Sequence, residues 1–346
     1  MSHKQKVPPA FSRVERGDTT LFIKEGYKEI ILRMVFDTEQ SRRKTSLLKQ
    51  NQNGEKGSAD VKFGRGSYLY VPIANNSEER FIIRDYRHGG LLGKLFGGVF
   101  LNGNRPLKEL FTSETASQRG VPSAEVIAIA KRRLWGLFYK AKFISKEIDG
   151  AVDMVEFLKK SSPEFIQTYK KPVIFALVKL IRNMHEAGIY HADLHLKNVL
   201  LKKDSTGKFT AYIIDLDKSV VLDKLDIQQR IRNLLRLDRS LEKLRWLSGK
   251  DYKSNVPVSL DDKPGESLNQ KIATISKTDR IRFFKAYMLF DSAIDKNWKM
   301  YIRQYPSHHS LHKFWWRVSG LSRGNPEKGK LQGKSFLKFL FVNSVI

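Results

Sequence analysis

Three oxygen-bearing side chains in the middle of the chain have the types and spacing to do chemistry together. Asp193 and Asn198 are close enough in sequence to lie on one tight loop, and Asp215 follows a short apolar run. A loop carboxylate can orient an acceptor hydroxyl and accept its proton, while amide and carboxylate oxygens are ligands that Mg²⁺ prefers. We therefore interpret Asp193 as a catalytic base, and Asn198 and Asp215 as metal ligands, for phosphoryl transfer from a nucleotide.

The neighbouring residues favour the same chemistry, although each has an ordinary alternative. A loop Asp commonly caps a turn, but His191 and Asn198 complete the His-x-Asp-x-x-x-x-Asn spacing that is typical of kinase catalytic loops. A carboxylate such as Asp215, at the end of a buried strand, is costly without a cation nearby. Lys197 is either a solvated loop residue or a second catalytic group that meets the transferred phosphate. Asp217 is either a second metal ligand or a local cap.

Cationic and glycine residues earlier in the chain predict phosphate contacts. Arg84 ends a strand-like run, where a kinase carries the Lys that contacts the nucleotide phosphates, and a guanidinium can make this contact in bidentate fashion. Glu109 on the next predicted helix is the expected ion-pair partner of Arg84, with Glu114 as the alternative. Gly64 and Gly66 would let backbone N–H groups approach phosphates, although a Gly-x-Gly pair more commonly forms an ordinary turn.

The elements that must position these residues predict an α+β fold with two lobes. Strand-like runs are followed by helical patterns; the strands are at 68–71, 80–84, 125–130 and 135–148, with one helix among them at 105–119. Residues 1–20 have no clear pattern and are predicted to be a flexible arm. We predict a protein kinase-like fold with a small β-rich N-lobe over 1–148, a larger helical C-lobe over 149–346, and the site in the cleft between them.

Composition limits the classes of function. The chain has 346 residues, of which 41% are hydrophobic, and no cysteine, which excludes disulfides, thiolate catalysis and cysteine-ligated zinc. Its net charge of +27 reflects either a solvated surface or an anionic partner such as the phosphate-rich face of a membrane. Nucleic acid is not the expected partner, because the basic stretches lack the interleaved aromatic residues of single-strand binders.

Four segments together resemble the bacterial lipopolysaccharide core kinases. They are Arg84–Leu91, Tyr190–Leu200, Tyr212–Asp217 and Asn233–Leu241, and Phe143–Gly150 resembles the inter-lobe hinge of that family. The resemblance points to the branch that phosphorylates 3-deoxy-D-manno-octulosonic acid (Kdo), with the heptose kinases as sister enzymes.

The resemblance implies ATP-dependent phosphorylation of a sugar hydroxyl on the lipid A–core precursor. It implies a peripheral enzyme at the cytoplasmic face of the bacterial inner membrane, where a basic protein would meet an anionic glycolipid. The roles it implies are Asp193 as base, Asn198 and Asp215 as Mg²⁺ ligands, Arg84 as phosphate contact, and the backbone around Glu147 and Ile148 as the adenine site. The alternatives are a protein or small-molecule kinase, or a basic kinase-like module that binds without turnover.

Overall fold

The computed structural model describes seven stretches of the chain: residues 7–37, 61–63, 67–73, 79–87, 98–101, 104–251 and 275–289. All of them belong to the first of the two units into which the chain divides, residues 1–290. Gly64 and Gly66 lie outside the described residues, as does the part of the predicted C-lobe after residue 289.

An antiparallel sheet dominates the N-terminal part. Among the described residues it has eight strands: β1 (Phe11–Arg16), β2 (Thr19–Lys24), β3 (Val61–Phe63), β4 (Ser67–Pro72), β5 (Arg80–Asp85), β6 (Phe100–Leu101), β7 (Val126–Arg133) and β8 (Phe138–Lys146). Their order in the sheet is β1-β2-β7-β8-β5-β4-β3, and β6 pairs with the start of β8. Helix α1 (Lys28–Leu32) runs on into a π-helical turn (Arg33–Asp37), and helix α2 (Arg105–Gln118) packs against β7.

The central strands form because apolar side chains cover both faces of the sheet. Five consecutive residues of β7, from Val126 to Ala130, are buried. A bulge early in β7 interrupts the alternation of side chains, so Ile127 and Ile129 lie on opposite faces of the sheet. Ile129 joins an apolar cluster with Leu110 of α2. Ile127 joins a second cluster with Ile31 of α1. The sheet therefore holds α2 in a fixed position above β7.

The predicted flexible arm over residues 1–20 is corrected for residues 7–20 by the N-terminal hairpin, whereas residues 1–6 lie outside the described residues. Strands β1 and β2 pair in full register, and β2 continues the sheet by pairing with β7. Leu21 and Ile23 of β2 are fully buried. The burial of these side chains stabilises the hairpin by roughly 1.5–3 kcal/mol for each, which explains why a segment with many charges is nevertheless part of the sheet.

The C-terminal part of the described chain is mainly helical. Its elements are β9 (Val152–Asp153), α3 (Met154–Lys160), α4 (Pro163–Glu186), β10 (Ile189–Tyr190), a 3₁₀ turn (Leu196–Asn198), β11 (Val199–Lys203), β12 (Phe209–Ile213), β13 (Val220–Val221), α5 (Ile227–Asp251) and α6 (Lys277–Met288). Strands β11 and β12 form a hairpin, β9 pairs with β11, and β10 pairs with β13.

Helix α4 leads the chain directly to the segment that carries Asp193. Its buried face includes Val173, Leu177 and Ile181, and its N-cap Ser162 accepts a hydrogen bond from a backbone N–H of the first turn. The helix ends before Gly188, which has φ +71°, and a Cβ there would lie only 2.0 Å from the carbonyl oxygen of Leu222. Only glycine fits this reversal.

The predicted α+β class, with a β-rich N-terminal part and a helical C-terminal part, is confirmed. The division into lobes at 148 and 149 stays a prediction. No helix in the described stretches is both long and apolar enough to cross a bilayer.

Candidate active site

The loop between β10 and β11 holds Asp193 and Asn198 in one closed turn. The side-chain amide of Asn198 donates a hydrogen bond of 2.9 Å to the backbone carbonyl of Asp193. The backbone carbonyl of Asn198 accepts a second bond, also 2.9 Å, from the N–H of Ile214. The Asp193 side chain is 73% exposed, so its carboxylate is accessible to an acceptor while the backbone beneath it is fixed.

His191 joins this loop to the segment that carries Asp215. The imidazole is fully buried, and its Nδ1 accepts a hydrogen bond from the N–H of Asp193. Its Nε2 must then carry the proton and donate to the carbonyl of Ile214, at 3.2 Å. Burial lowers the pKa of His191, which favours this neutral form. His191 therefore sets the position of the loop relative to the residue just before Asp215.

Helix α5 supports the same loop from below. The buried Asn233 donates a 2.8 Å hydrogen bond to the carbonyl of His191 and accepts a 3.2 Å bond from its N–H. Ser240 accepts a hydrogen bond from the N–H of Leu196, and Arg236 donates to another backbone carbonyl of the loop. The Asn233–Leu241 segment thus holds the loop in one conformation through four hydrogen bonds to its backbone.

Arg84 connects the sheet, helix α2 and the Asp215 segment. Its guanidinium donates to Glu109 at 2.5 Å and to Asp215 at 3.1 Å, and it stacks over the rings of Tyr86 and Phe143. The predicted ion pair with Glu109 is therefore present, whereas the alternative partner, Glu114, accepts a hydrogen bond from the side chain of Gln118. Arg84 holds three segments of the chain together around one charge.

Burial dominates the electrostatics of this cluster. It raises the pKa of Glu109 to about 7, against the opposing effect of Arg84, and the charge of Asp215 raises that pKa further. The hydroxyl of Tyr86 donates to the second oxygen of Glu109, at 2.5 Å. For Arg84, burial acts to lower the pKa, but the carboxylates of Glu109 and Asp215 outweigh burial and raise the pKa above its usual value. The guanidinium is therefore permanently charged.

Asp217 forms a second ion pair, with Arg105 at the start of α2. Two nitrogens of Arg105 donate to the two carboxylate oxygens of Asp217, the Nε–Oδ1 distance being 2.8 Å. The Asp217 side chain is 10% exposed. This pair gives Asp217 a partner other than a metal ion or its own turn, the two possibilities that the sequence left open. It fastens α2, and with it Glu109, to the Asp215–Asp217 segment.

We expect the Arg105–Asp217 pair to act on the rate of transfer by positioning Asp215. Arg105→Ala and Asp217→Ala should each lower kcat about tenfold, and the double variant should be no slower than either single variant. Residues in direct contact, as in this partly buried pair, have a coupling energy of about 0.5–3 kcal/mol. The measurement is a double-mutant cycle on kcat, with Mg²⁺ titrated in each variant. A Mg²⁺ requirement that rises in Asp217→Ala alone would instead indicate a metal ligand.

Asn198 and Asp215 lie at the same end of the β11–β12 hairpin, because the hairpin pairs Val199 with Ile213. Asp215 has φ +60°, a left-handed conformation that costs an L-residue roughly 1–2 kcal/mol. Strain of this kind tends to occur at functional sites.

No group of three His, Cys, Asp or Glu side chains in the described stretches could hold a metal ion alone. The amide and carboxylate oxygens fit Mg²⁺ that also binds phosphates and water.

The segment after β8 carries the predicted adenine site. The N–H of Glu147 donates to the carbonyl of Arg80, at 2.8 Å, and the carbonyl of Ile148 accepts from the N–H of Ala151, at 3.0 Å. The Glu147 carboxylate pairs with the Arg80 guanidinium, the shorter bond being 2.6 Å. An adenine bound here would use a backbone donor other than the Glu147 N–H, which is already engaged, so the role of Glu147 and Ile148 stays a prediction.

Lys197 lies on the 3₁₀ turn and is exposed. His195 faces the base, with its Nε2 at 3.8 Å from a carboxylate oxygen of Asp193. Lys197 is therefore accessible to solvent, as the Asp193 carboxylate is. The catalytic role of Lys197 stays a prediction.

Several residues that build the site were not assigned from the sequence. Arg105 and Tyr86 hold the Glu109 end of the cluster, and Asn233, Arg236 and Ser240 hold the catalytic loop. The last three fall within a segment that the family resemblance singled out, which was a usable signal. Arg105 could not be assigned in this way, because an arginine at the start of a helix gives no indication of a distant partner.

Comparison with known proteins identifies the family to which this chain belongs. Residues 74–256 match the lipopolysaccharide kinase (Kdo/WaaP) family. A 3-deoxy-D-manno-octulosonic acid kinase of Vibrio cholerae is 34% identical over 197 residues, which are 56% of this chain and 76% of the relative. A kinase of the same name from Haemophilus influenzae (strain PittEE) is 30% identical over 200 residues, which are 56% of this chain and 78% of the relative.

A solved structure, WaaP in complex with acyl carrier protein, is similar over 83% of this chain and 98% of its own, with 16% identity and a TM-score of 0.44. The family match covers more than half of the chain, and the two relatives are covered over more than two thirds of their length. The predicted family and the predicted kinase activity are thereby confirmed: the chain belongs to the lipopolysaccharide kinase (Kdo/WaaP) family.

Proposed function

We propose that this chain transfers the γ-phosphoryl group of ATP to a hydroxyl of Kdo on a lipid A–core precursor. The family match and the two kinases named for Kdo support this acceptor. A heptose of the same core is the second candidate, because the resemblance found in the sequence includes the heptose kinases as sister enzymes of the Kdo branch.

One observation carries the proposal. Arg84 is held between Glu109 and Asp215, and His191 and Asn198 connect the Asp215 segment to the loop of Asp193. A candidate phosphate-binding cation, a candidate metal ligand and a candidate base are thus linked by direct contacts. Phosphoryl transfer depends mainly on positioning and electrostatic stabilisation, and this network supplies both.

In the proposed reaction, Asp193 accepts a hydrogen bond from the acceptor hydroxyl and takes its proton as the oxygen bonds to the γ-phosphorus. The bond from that phosphorus to the β–γ bridging oxygen breaks, and ADP leaves. Arg84 has five N–H donors and uses two for Glu109 and Asp215, so it can also contact phosphate oxygens. Mg²⁺, held by Asn198 and Asp215, would neutralise charge on the phosphates.

We further propose that the protein works as a peripheral enzyme at the cytoplasmic face of the inner membrane. The support for this is electrostatic: the net charge is +27, and each Lys or Arg near an anionic leaflet contributes about 1 kcal/mol. The proposed acceptor is itself an anionic glycolipid, so the same charge would favour the encounter with membrane and substrate.

The test is an acceptor panel with the purified full-length chain, labelled ATP and Mg²⁺. The acceptors are Kdo-lipid A, a heptose-containing core precursor, free Kdo and a generic protein substrate, and the products are weighed by mass spectrometry. We expect a mass increase of one phosphate on Kdo-lipid A. Transfer to the heptose precursor alone would move the assignment to the second acceptor, and transfer to protein alone would refute both.

A further inference from the structure

The turn between β7 and β8 exposes large apolar side chains where the sheet ends. Trp135 and Leu137 are 65% and 62% exposed, and Leu101, which lies beside the turn on β6, is 64% exposed. Leu101 pairs with Phe138 across the strands, and Trp135 packs against Phe138 with tilted rings whose centroids are 5.4 Å apart. We call Leu101, Trp135 and Leu137 the β7–β8 tip. Clustered exposed apolar side chains of this size mark interaction sites.

Positively charged side chains surround the β7–β8 tip, and their mutual repulsion is unfavourable without an anion nearby. Arg132 of β7 pairs directly opposite Lys140 of β8, and both residues are exposed, as is the adjacent Arg133. Like charges directly opposite each other destabilise a strand pair. Asp18 compensates in part, because it forms an ion pair with Arg132. The tip therefore combines projecting apolar groups with an excess of positive charge at their base.

This combination fits a bilayer surface better than a protein partner. Trp at the headgroup level, with Lys or Arg beside it, is the pattern of side chains that enter the interfacial region of membranes. A stable protein interface buries about 800 Å² on each partner, which is far more than three side chains at one turn present. A turn needs to enter a bilayer by only about 5–10 Å to bury such a tip.

The tip is also close to the proposed catalytic machinery. Phe100 packs against Tyr139 at the start of β8, and the guanidinium of Arg105 lies over the Phe100 ring, 5.0 Å from its centroid. Arg105 in turn holds Asp217. Three contacts thus connect the base of the tip to the Asp215–Asp217 segment. A membrane bound by the tip would therefore lie near the start of α2.

We propose that the β7–β8 tip inserts Trp135, Leu137 and Leu101 into the headgroup region of an anionic bilayer, with Arg133 and Lys140 contacting lipid phosphates. The inference identifies the docking surface for the proposed membrane location. Only one part of this inference, the delivery of a lipid-borne acceptor to the active site, rests on the proposed function.

The test is co-sedimentation of the full-length chain with vesicles of phosphatidylethanolamine and phosphatidylglycerol, compared with neutral phosphatidylcholine vesicles. Trp135→Ser/Leu137→Ser should weaken binding to the anionic vesicles about 30-fold, since two large apolar side chains lose their burial. Arg133→Gln/Lys140→Gln should weaken binding to anionic vesicles to a similar degree and leave binding to neutral vesicles unchanged. Phe175→Ser is the matched control, because Phe175 is 59% exposed on α4, and should bind like the wild type.

Binding that is unaffected by both double variants would overturn the proposal, as would equal weakening by Phe175→Ser. Self-association of the wild type that is lost in Trp135→Ser/Leu137→Ser, without vesicle binding, would overturn it in favour of a protein partner. Because this assay contains no ATP, it stands even if the acceptor assignment fails. With an active enzyme, the tip variant should lose transfer to vesicle-embedded acceptor and keep transfer to detergent-dispersed acceptor.

Discussion

Asp193→Asn should lower kcat for phosphoryl transfer about a thousandfold, within the range that general acid–base groups supply. The amide keeps the size of the side chain and can still contact a hydroxyl, but it cannot take up the proton. The affinity for ATP should stay within about twofold, because the residues proposed to contact the nucleotide are elsewhere. Stability should change by less than about 0.5 kcal/mol, since the Asp193 side chain is 73% exposed.

The measurement is single-turnover transfer together with ATP binding and thermal unfolding. Asp223→Asn is the matched control, because Asp223 is an exposed carboxylate on a neighbouring turn, and it should retain full activity. A near wild-type rate in Asp193→Asn would mean that another group is the base. Lys197→Gln, measured in parallel, should lower kcat by at least tenfold if Lys197 meets the transferred phosphate, and hardly at all if it is a solvated loop residue.

Arg84→Ala should impair both stability and catalysis. Its loss leaves Glu109, whose side chain is 1% exposed, without its cation, and breaking a buried pair in this way costs about 3 kcal/mol. The same change frees Asp215 and removes the proposed phosphate contact, which should lower kcat/KM by about 10²–10³-fold. Arg84→Lys should recover part of the stability and less of the activity, because an ammonium cannot match the planar fork of a guanidinium.

The stability loss in Arg84→Ala should depend on pH. Burial already raises the pKa of Glu109 to about 7, and Arg84 opposes that rise, so removing Arg84 raises the pKa further. The folded variant then binds a proton more tightly than the unfolded chain does, and its stability falls as pH rises through neutrality. Chemical unfolding at about pH 6 and about pH 9 should therefore show the larger loss at the higher pH.

The control for Arg84→Ala is Arg132→Ala, which removes an exposed ion pair with Asp18. An exposed pair contributes about 0–1 kcal/mol, so this variant should show a small change with little pH dependence. An Arg84→Ala protein as stable as the wild type at both pH values would contradict the bridging role assigned to Arg84.

Local patterns in the sequence were sufficient to predict the elements that hold the site. Short strand-like runs at 68–71 and 80–84 predicted β4 and β5, and a helical pattern over 105–119 predicted α2, which spans Arg105–Gln118. The pair of Arg84 and Glu109 was predicted from those elements, because Arg84 ends a strand and Glu109 lies on the next helix. The sequence spacing of Asp193 and Asn198 was sufficient to predict that both lie on one loop.

The remaining features depend on distant partners that local patterns do not specify. The hairpin of β1 and β2 contains a Gly17–Asp18 turn, a signal obscured by the polar and charged residues of β1. Its place in the sheet comes from pairing with β7, more than a hundred residues away. The Arg105–Asp217 pair is likewise a long-range contact, and either residue read alone has several ordinary explanations.

The dependence of the loop on helix α5 sets the length of the smallest working enzyme. A chain cut after β13 would still contain Asp193, Asn198 and Asp215, yet it would lack Asn233, Arg236 and Ser240, which hold the backbone beneath the base. Truncations and chimaeras that exchange acceptor preference should therefore carry α5 together with the loop it supports, because the two form one transferable piece.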